Sequence, residues 1–317
     1  MSVPPWRPTR PIVGMSAVLL PFTADGAIDW PGFEAHLART IAAGLVPALN
    51  MDTGFGPVLD ASDRARVLAI GADHGSPEWL AGVHIDDAPG AGFDADAYRR
   101  GVETVVEQGA TPILFPSFGM AALAESDIAS AHAAVLADCD RAYGFELGAM
   151  FHPAGRIFAL STFDELLDIP ALVGLKHSSL DRGLEWQRLE RRDARRPSFR
   201  LLTGNDLAID MVMWGSDYLL GLSTFAPDAF AARDAAWASG DLGRFFELND
   251  ILQYLGHFAF RAPVPGYRHD AAMFLALRSL LATDRTHASS PTRPDSDRAV
   301  LAAIAERLER ALGPEGS

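Results

Sequence analysis

The chain contains a single lysine. Its 27 basic residues are otherwise all arginine, a side chain that keeps its proton near neutral pH. Lys176 is therefore the only side-chain amine the protein has. Cysteine is as scarce: Cys139 stands alone, which excludes an internal disulfide and predicts a reducing, cytoplasmic setting. No run approaches the ~18 uninterrupted apolar residues of a membrane span. Positive charge is outweighed, with 41 acidic residues against 27 basic and a formal net charge of -14. That balance argues against a nucleic acid or an anionic membrane as partner, since both require basic surface. A Gly-rich dinucleotide fingerprint is missing after the first apolar run, which disfavours an open doubly wound sheet. Residues 1–11 are rich in Pro and Arg and lack an apolar signal core, so they read as a mobile arm.

What is present points to a large folded α/β chain. With 317 residues, 49% hydrophobic and 21% charged, it can bury a sizeable core. Eight short apolar runs occur, near residues 13–20, 45–50, 79–85, 111–116, 145–151, 171–176, 199–202 and 217–222. Turn residues close each run, and most are followed by a pattern of helical period. Ser62 can cap the second helix, and residues 184–195 form a strongly charged helical stretch. Eight such units predict a (β/α)8 TIM barrel over residues 12–240. Residues 241–317 read as a C-terminal helical region, with a Ser/Pro/Thr-rich loop at 283–294.

Barrel active sites gather at the carboxyl ends of the strands. Those ends supply Asp52, Thr53, His84, Phe118, Phe151, His152, Arg156, Lys176, His177, Asn205, Asp206 and Ser223. An ammonium at the end of the apolar run Ala171-Leu172-Val173-Gly174-Leu175 is disfavoured by desolvation, whereas a neutral amine there can attack a carbonyl. The resulting imine is an electron sink for aldol cleavage, aldol addition or dehydration. His177 follows Lys176 directly, so strand alternation sends it to the other face, and it reads as structural. His84, Asp52, His152 and Asp206 could hold a divalent ion chemically. No close-spaced ligand motif supports one, so neither metal nor cofactor is expected.

Several motifs carry a resemblance. Gly14 to Phe22 (GMSAVLLPF), Asp25-Gly26-Ala27-Ile28-Asp29, Asp52-Thr53-Gly54, Gly174-Leu175-Lys176 and Gly204-Asn205-Asp206 occur in the order and spacing of a known family. Over its first ~230 residues the chain resembles the dihydrodipicolinate synthase/N-acetylneuraminate lyase family of Schiff-base aldolases. The resemblance implies a (β/α)8 barrel with a C-terminal helical region, a small-molecule carbonyl substrate, and a homo-oligomer, dimer or tetramer. It makes Lys176 the imine-forming residue and Thr53 the threonine that positions substrate. Arg156 matches an arginine that contacts the distal end of substrates.

The chain also departs from that family. Asp52 stands where a threonine helps bind the pyruvate carboxylate, and its charge would repel a substrate carboxylate. Phe151 takes the place of the fifth-strand tyrosine, and Phe118 that of the tyrosine donated across a subunit interface. Neither phenylalanine can move a proton. His152 or His84 is then the expected acid–base group, with Asp52, Asn205, Asp206 and Ser223 offering polarity to the substrate. The expected activity is a class I lyase acting on a small oxo acid or keto sugar. The alternative is a lapsed barrel that binds a small molecule without turning it over.

Overall fold

The computed structural model describes residues 3–313; residues 1 and 2 of the expected arm, and 314–317 of the expected helical region, lie outside the described residues. Strands β1 (Gly14–Ala17), β2 (Val46–Leu49), β3 (Leu80–Val83), β4 (Thr111–Leu114), β5 (Ala142–Leu147), β6 (Leu172–Ser178), β7 (Arg200–Thr203) and β8 (Asp217–Leu220) close in sequence order into a barrel. Helices lie between them, two after β4 and only a 3-10 segment, Ile209–Trp214, after β7: α1 (Trp30–Ala42), α2 (Ala61–Asp73), α3 (Ala95–Glu107), α4 (Phe118–Ala121), α5 (Ile128–Val135), α6 (Leu160–Leu166), α7 (Arg182–Arg195) and, after β8, α8 (Pro227–Ser239). The chain then continues as α9 (Leu242–Ala259), α10 (Tyr267–Leu277) and α11 (Asp297–Leu312). The expected TIM barrel with a C-terminal helical extension is the observed architecture.

The strands are short and almost wholly buried, as parallel strands covered on both faces must be. Much of the acidic excess is spent at helix starts. Asp29, Asp60, Asp94, Asp181 and Asp241 each accept hydrogen bonds from the first-turn N–H groups of α1, α2, α3, α7 and α9. This corrects the Ser62 expectation. The second helix begins at Ala61, so Ser62 is already inside it and Asp60 is the cap.

The chain divides into two compact units. One comprises residues 3–7, Asp60–Asn205 and Met211–Tyr218. In it β5 and β6 pair with Phe145 beside Lys176, Glu146 beside His177 and Leu147 beside Ser178. On the other flank of β6, Lys176 lies beside Leu202 and His177 beside Thr203. The sixth strand therefore runs two residues past the lysine, with β5 pairing through Ser178 and β7 through His177. Arg7 ties residues of the expected arm to this unit: its N–H donates to the Met213 carbonyl (2.7 Å) and its guanidinium pairs with Asp193 (2.6 Å).

The second unit comprises Pro8–Leu59, Asp206–Asp210 and residues 219–313. Phe225, Phe230, Trp237, Phe245, Phe274 and Leu308 build its core. The 283–294 loop is anchored at both ends: Thr283 donates to the Phe22 carbonyl (2.7 Å), and buried Arg293 reaches the Asp270 carboxylate (3.0 Å). No described helix is long and apolar enough to cross a membrane.

Candidate active site

Lys176 is 5% exposed. Its Nζ sits 4.3 Å from the centroid of the Phe145 ring, the neighbour that strand pairing places beside it. Phe145 meets Phe115 edge-on at 5.0 Å, and Phe115 lies 4.3 Å from the His84 imidazole. A continuous aromatic stack thus runs from His84 to the amine. Burial behind it removes the amine from bulk water, the condition under which a lysine can act as a nucleophile.

Two positions along, Ser178 shares the lysine's face of β6. Its buried Oγ has no hydrogen-bond partner among the described residues. Both side chains press on the backbone after β7. A Cβ added to Gly204 would lie 1.9 Å from Ser178 Oγ and 2.8 Å from Lys176 Cε. Gly204 in the Gly204-Asn205-Asp206 motif is therefore the space into which the lysine stem and the serine fit. A Gly204→Ala variant is expected to fold with a loss of about 1–3 kcal/mol, because both side chains must leave their rotamers. Slower labelling of Lys176 by a carbonyl compound plus borohydride, alongside a lowered melting temperature, is the measurement; unchanged labelling would sink the argument.

The other face of β6 is a buried ionic network. His177 Nδ1 lies 2.7 Å from Glu146 Oε2, and its Nε2 lies 2.7 Å from Ser179 Oγ. Arg188, from the charged helix α7, grips both oxygens of Glu146 at 2.7 and 2.5 Å. Burial alone would raise the Glu146 carboxyl, but His177 and Arg188 outweigh it and bring it down to about 2. His177 is structural, as strand alternation predicts. In the strongly charged helix α7, Glu185, Arg188 and Arg192 are buried.

Other predicted residues gather elsewhere in the lysine-bearing unit. His152 lies in the turn after β5, its Nδ1 accepting from the Ala154 N–H (3.1 Å) and its ring 6.2 Å from that of Phe118. Phe151 closes the same turn through its N–H to the Gly148 carbonyl (3.0 Å). Arg156 donates to the carbonyls of Ala121 (3.1 Å) and Leu123 (2.6 Å) and pairs with Glu125, so its guanidinium fastens the chain after α4. Asn205 is buried, and its N–H donates to Thr203 Oγ1 (3.2 Å).

In the second unit, Thr53 and Asp52 meet a residue that the sequence did not single out. Thr53 Oγ1 lies 2.8 Å from the hydroxyl of Tyr267, and that hydroxyl donates to Asp52 Oδ2 at 3.1 Å. Gly221 leaves the room for this contact, since a Cβ there would be 3.0 Å from both Thr53 Oγ1 and the Tyr267 ring. Tyr267 stacks on Phe260 at 4.3 Å, while Arg268 holds the Asp52 carbonyl (3.0 Å) and covers Phe55. Burial, and then the Asp52 charge, push the Tyr267 phenol well above its ordinary value, so it is a proton donor at neutral pH. Asn50 (φ +51°) and Phe55 (φ +62°) bracket this turn in the left-handed region, a strain of roughly 1–3 kcal/mol each. Asp206 Oδ1 accepts from the Leu222 N–H (2.8 Å), and Ser223 donates to the Leu220 carbonyl (2.8 Å). Among the described residues, no group of three or more His, Cys, Asp or Glu is arranged to hold a metal ion.

The chain is thus an eight-stranded parallel barrel with its one lysine buried in the sixth strand. Solved structures with a similar fold include a dihydrodipicolinic acid synthase family protein from Escherichia coli K12, determined in complex with pyruvate. It is 18% identical with a TM-score of 0.80, over 93% of this chain and 98% of its own. The dihydrodipicolinate synthases of Thermotoga maritima (15% identical, TM-score 0.77, 94% and 99% covered) and Agrobacterium tumefaciens (18%, 0.76, 95% and 99%) are similar to it as well. No protein-family profile and no curated protein sequence matches the chain. At these identities the shared property is the fold.

Proposed function

We propose that the protein is a lyase that works through a Schiff base on Lys176, cleaving, joining or dehydrating a small oxo acid or keto sugar. The observation that carries this reading is the sole lysine of the chain, buried within a barrel strand against an aromatic wall. A surface amine would need no such setting, and a chain that uses arginine everywhere else has kept an amine at this one place. The pyruvate complex of the E. coli relative supports the same substrate class.

The carbonyl carbon accepts the lone pair of Nζ and loses its oxygen as water, leaving C=N. Electrons from a bond to the adjacent carbon then flow toward nitrogen, which is what aldol cleavage and dehydration both require. Thr53 positions the substrate. The imidazoles of His84 and His152 are the acid–base groups the lysine-bearing unit offers. Asp52, Asn205, Asp206 and Ser223 offer polarity to the substrate, Phe118 and Phe151 apolar walls, and Arg156 a contact for its distal end. The charge of Asp52 favours a hydroxylated or neutral carbonyl compound over plain pyruvate. The same reading has the chain act as a homo-oligomer, dimer or tetramer, in the cytoplasm.

Incubation with a panel of 2-oxo acids and keto sugars, followed by borohydride, is expected to add one reduced adduct to the chain, on Lys176 by peptide mass. Turnover of a substrate that leaves no adduct on Lys176 would overturn the imine mechanism.

A further inference from the structure

Strands β5 and β6 do not pair in one continuous register. Ala142 lies beside Leu172, but Tyr143 lies beside Gly174, so Val173 is an extra residue in the sixth strand just before the lysine. Alternation therefore cannot be carried through from the start of the strand. A slip of one residue past Val173 would send every later side chain to the opposite face. Backbone hydrogen bonds are alike in either register, so side chains beyond Val173 must select the one in which Phe145 lies beside Lys176.

The next pair along the two strands can do this. Glu146 and His177 stand beside each other on the outer face, one residue past Phe145 and Lys176. The Glu146 carboxylate is held ionised and only accepts, so His177 Nδ1 is the donor across 2.7 Å. Arg188 of α7 takes both oxygens of the same carboxylate, and the Phe158 N–H donates to Oε1 at 2.8 Å. On the same helix, Glu185 accepts from Thr203 Oγ1 at 2.9 Å, and Thr203 is the β7 residue beside His177. One helix thus grips β5 and β7 on either side of His177.

Burying these groups is costly. Glu146 and Glu185 are 0% exposed, and His177 and Arg188 are 1% exposed. Apolar residues of similar volume often hold a fold as well as buried ions do, so stability alone does not account for the cluster. An apolar contact tolerates a slip of register, whereas a hydrogen-bonded ion pair does not. We propose that Glu146, His177 and Arg188 are positioning residues for Lys176: they hold β5 and β6 in the register that lays the amine against Phe145, and thereby set how fast it attacks a carbonyl. The second clause rests on the Schiff-base reading, and the first stands without it.

The sole lysine makes its position directly observable. Lysine labelled with 13C at Cε gives one side-chain signal in the full chain, and the Phe145 ring, 4.3 Å from Nζ, is expected to shift its protons upfield. The second readout is the rate of the borohydride-trapped adduct on Lys176, with pyruvate and dihydroxyacetone as probes over a range of concentrations. Both are measured, with melting temperature, on the wild type, His177→Leu, His177→Asn and the apolar triple variant Glu146→Leu/His177→Leu/Arg188→Met.

His177→Leu is expected to return the signal toward that of free lysine. Adduct formation at saturation should slow roughly 10- to 100-fold, with little change in the half-saturating concentration. His177→Asn, whose amide donates to Glu146 from the place of Nδ1, is expected to restore most of both. The triple variant, which strands no charge, is expected to fold yet behave like His177→Leu. A wild-type signal and adduct rate in the folded apolar variants would overturn the proposal. Equal losses in His177→Leu and His177→Asn that follow only the fall in melting temperature would overturn it as well. If neither apolar variant folds, the cluster is a determinant of the whole fold rather than of one side chain, and the proposal fails too. A shifted signal that depends on His177, with no wild-type adduct from either probe, would uphold the positioning and count against the Schiff base. A wild-type signal at the free-lysine position would overturn the positioning whatever the adduct shows.

Discussion

Lys176→Arg is expected to abolish the reaction while leaving the barrel folded. Arginine has a similar reach over the Phe145 ring, so the site keeps a long side chain there. What it cannot do is give up its proton to become a nucleophile. Turnover should fall roughly 10^4-fold or more, the scale seen when a covalent nucleophile is deleted. The borohydride adduct should vanish, and the readout is clean because no other side-chain amine exists in the sequence. Insertion of the bulkier guanidinium should cost about 1–3 kcal/mol. Lys176→Met, close in volume and without charge, controls for that cost. Adduct formation or near-normal turnover in either variant would show that the lysine is a passenger.

The lysine was legible because of what surrounds it in composition rather than in space. An arginine-only background makes one amine conspicuous, and an apolar run before it gives burial. The period-2 rule then sent His177 to the opposite face, where Glu146 and Arg188 hold it. The eight-strand rhythm was legible for the same reason, since fully buried strands show as apolar runs.

The boundaries were less so. The fifth strand was expected over 145–151, but Ala142, Tyr143 and Gly144 belong to it, because pairing with β6 outweighs the weak strand preference of a Gly between them. Charged residues were opaque in a different way. The stretch 184–195 reads as a strongly charged helix with nothing to say which charges are buried; Arg188 is buried because Glu146, 42 positions away, is buried opposite it. The partners that Arg156 has in the fold, the carbonyls of Ala121 and Leu123 and the Glu125 carboxylate, lie more than 30 positions away and leave no local pattern. Tyr267 left no local signal, since its meaning comes from Thr53, 214 positions earlier. Pair interactions of this separation are invisible to any pattern of nearby residues.

Arg188→Met is expected to be the most destabilising single change on the helix side of β6. It removes the guanidinium from a carboxylate that has no solvent, leaving Glu146 with His177 and the Phe158 N–H (2.8 Å) as partners. Breaking a buried ion pair from one side costs about 3–5 kcal/mol, here a fall in melting temperature of roughly 5–15 °C. The pH dependence follows from the same carboxylate. Its folded value, about 2, lies below the ordinary 4.5, so it stabilises the fold above pH ~4.5. That contribution, about 3 kcal/mol, is lost as pH falls from there through ~2. Glu146→Gln combined with Arg188→Met keeps an acceptor for His177 and removes both charges. The pair should recover much of the loss of the single variant and flatten the acid limb of the stability profile. Denaturation curves at several pH values measure both. A single variant within about 1 kcal/mol of wild type, or an acid limb unchanged in the double variant, would mean that the Glu146–Arg188 pair does not hold the sixth strand to its helix.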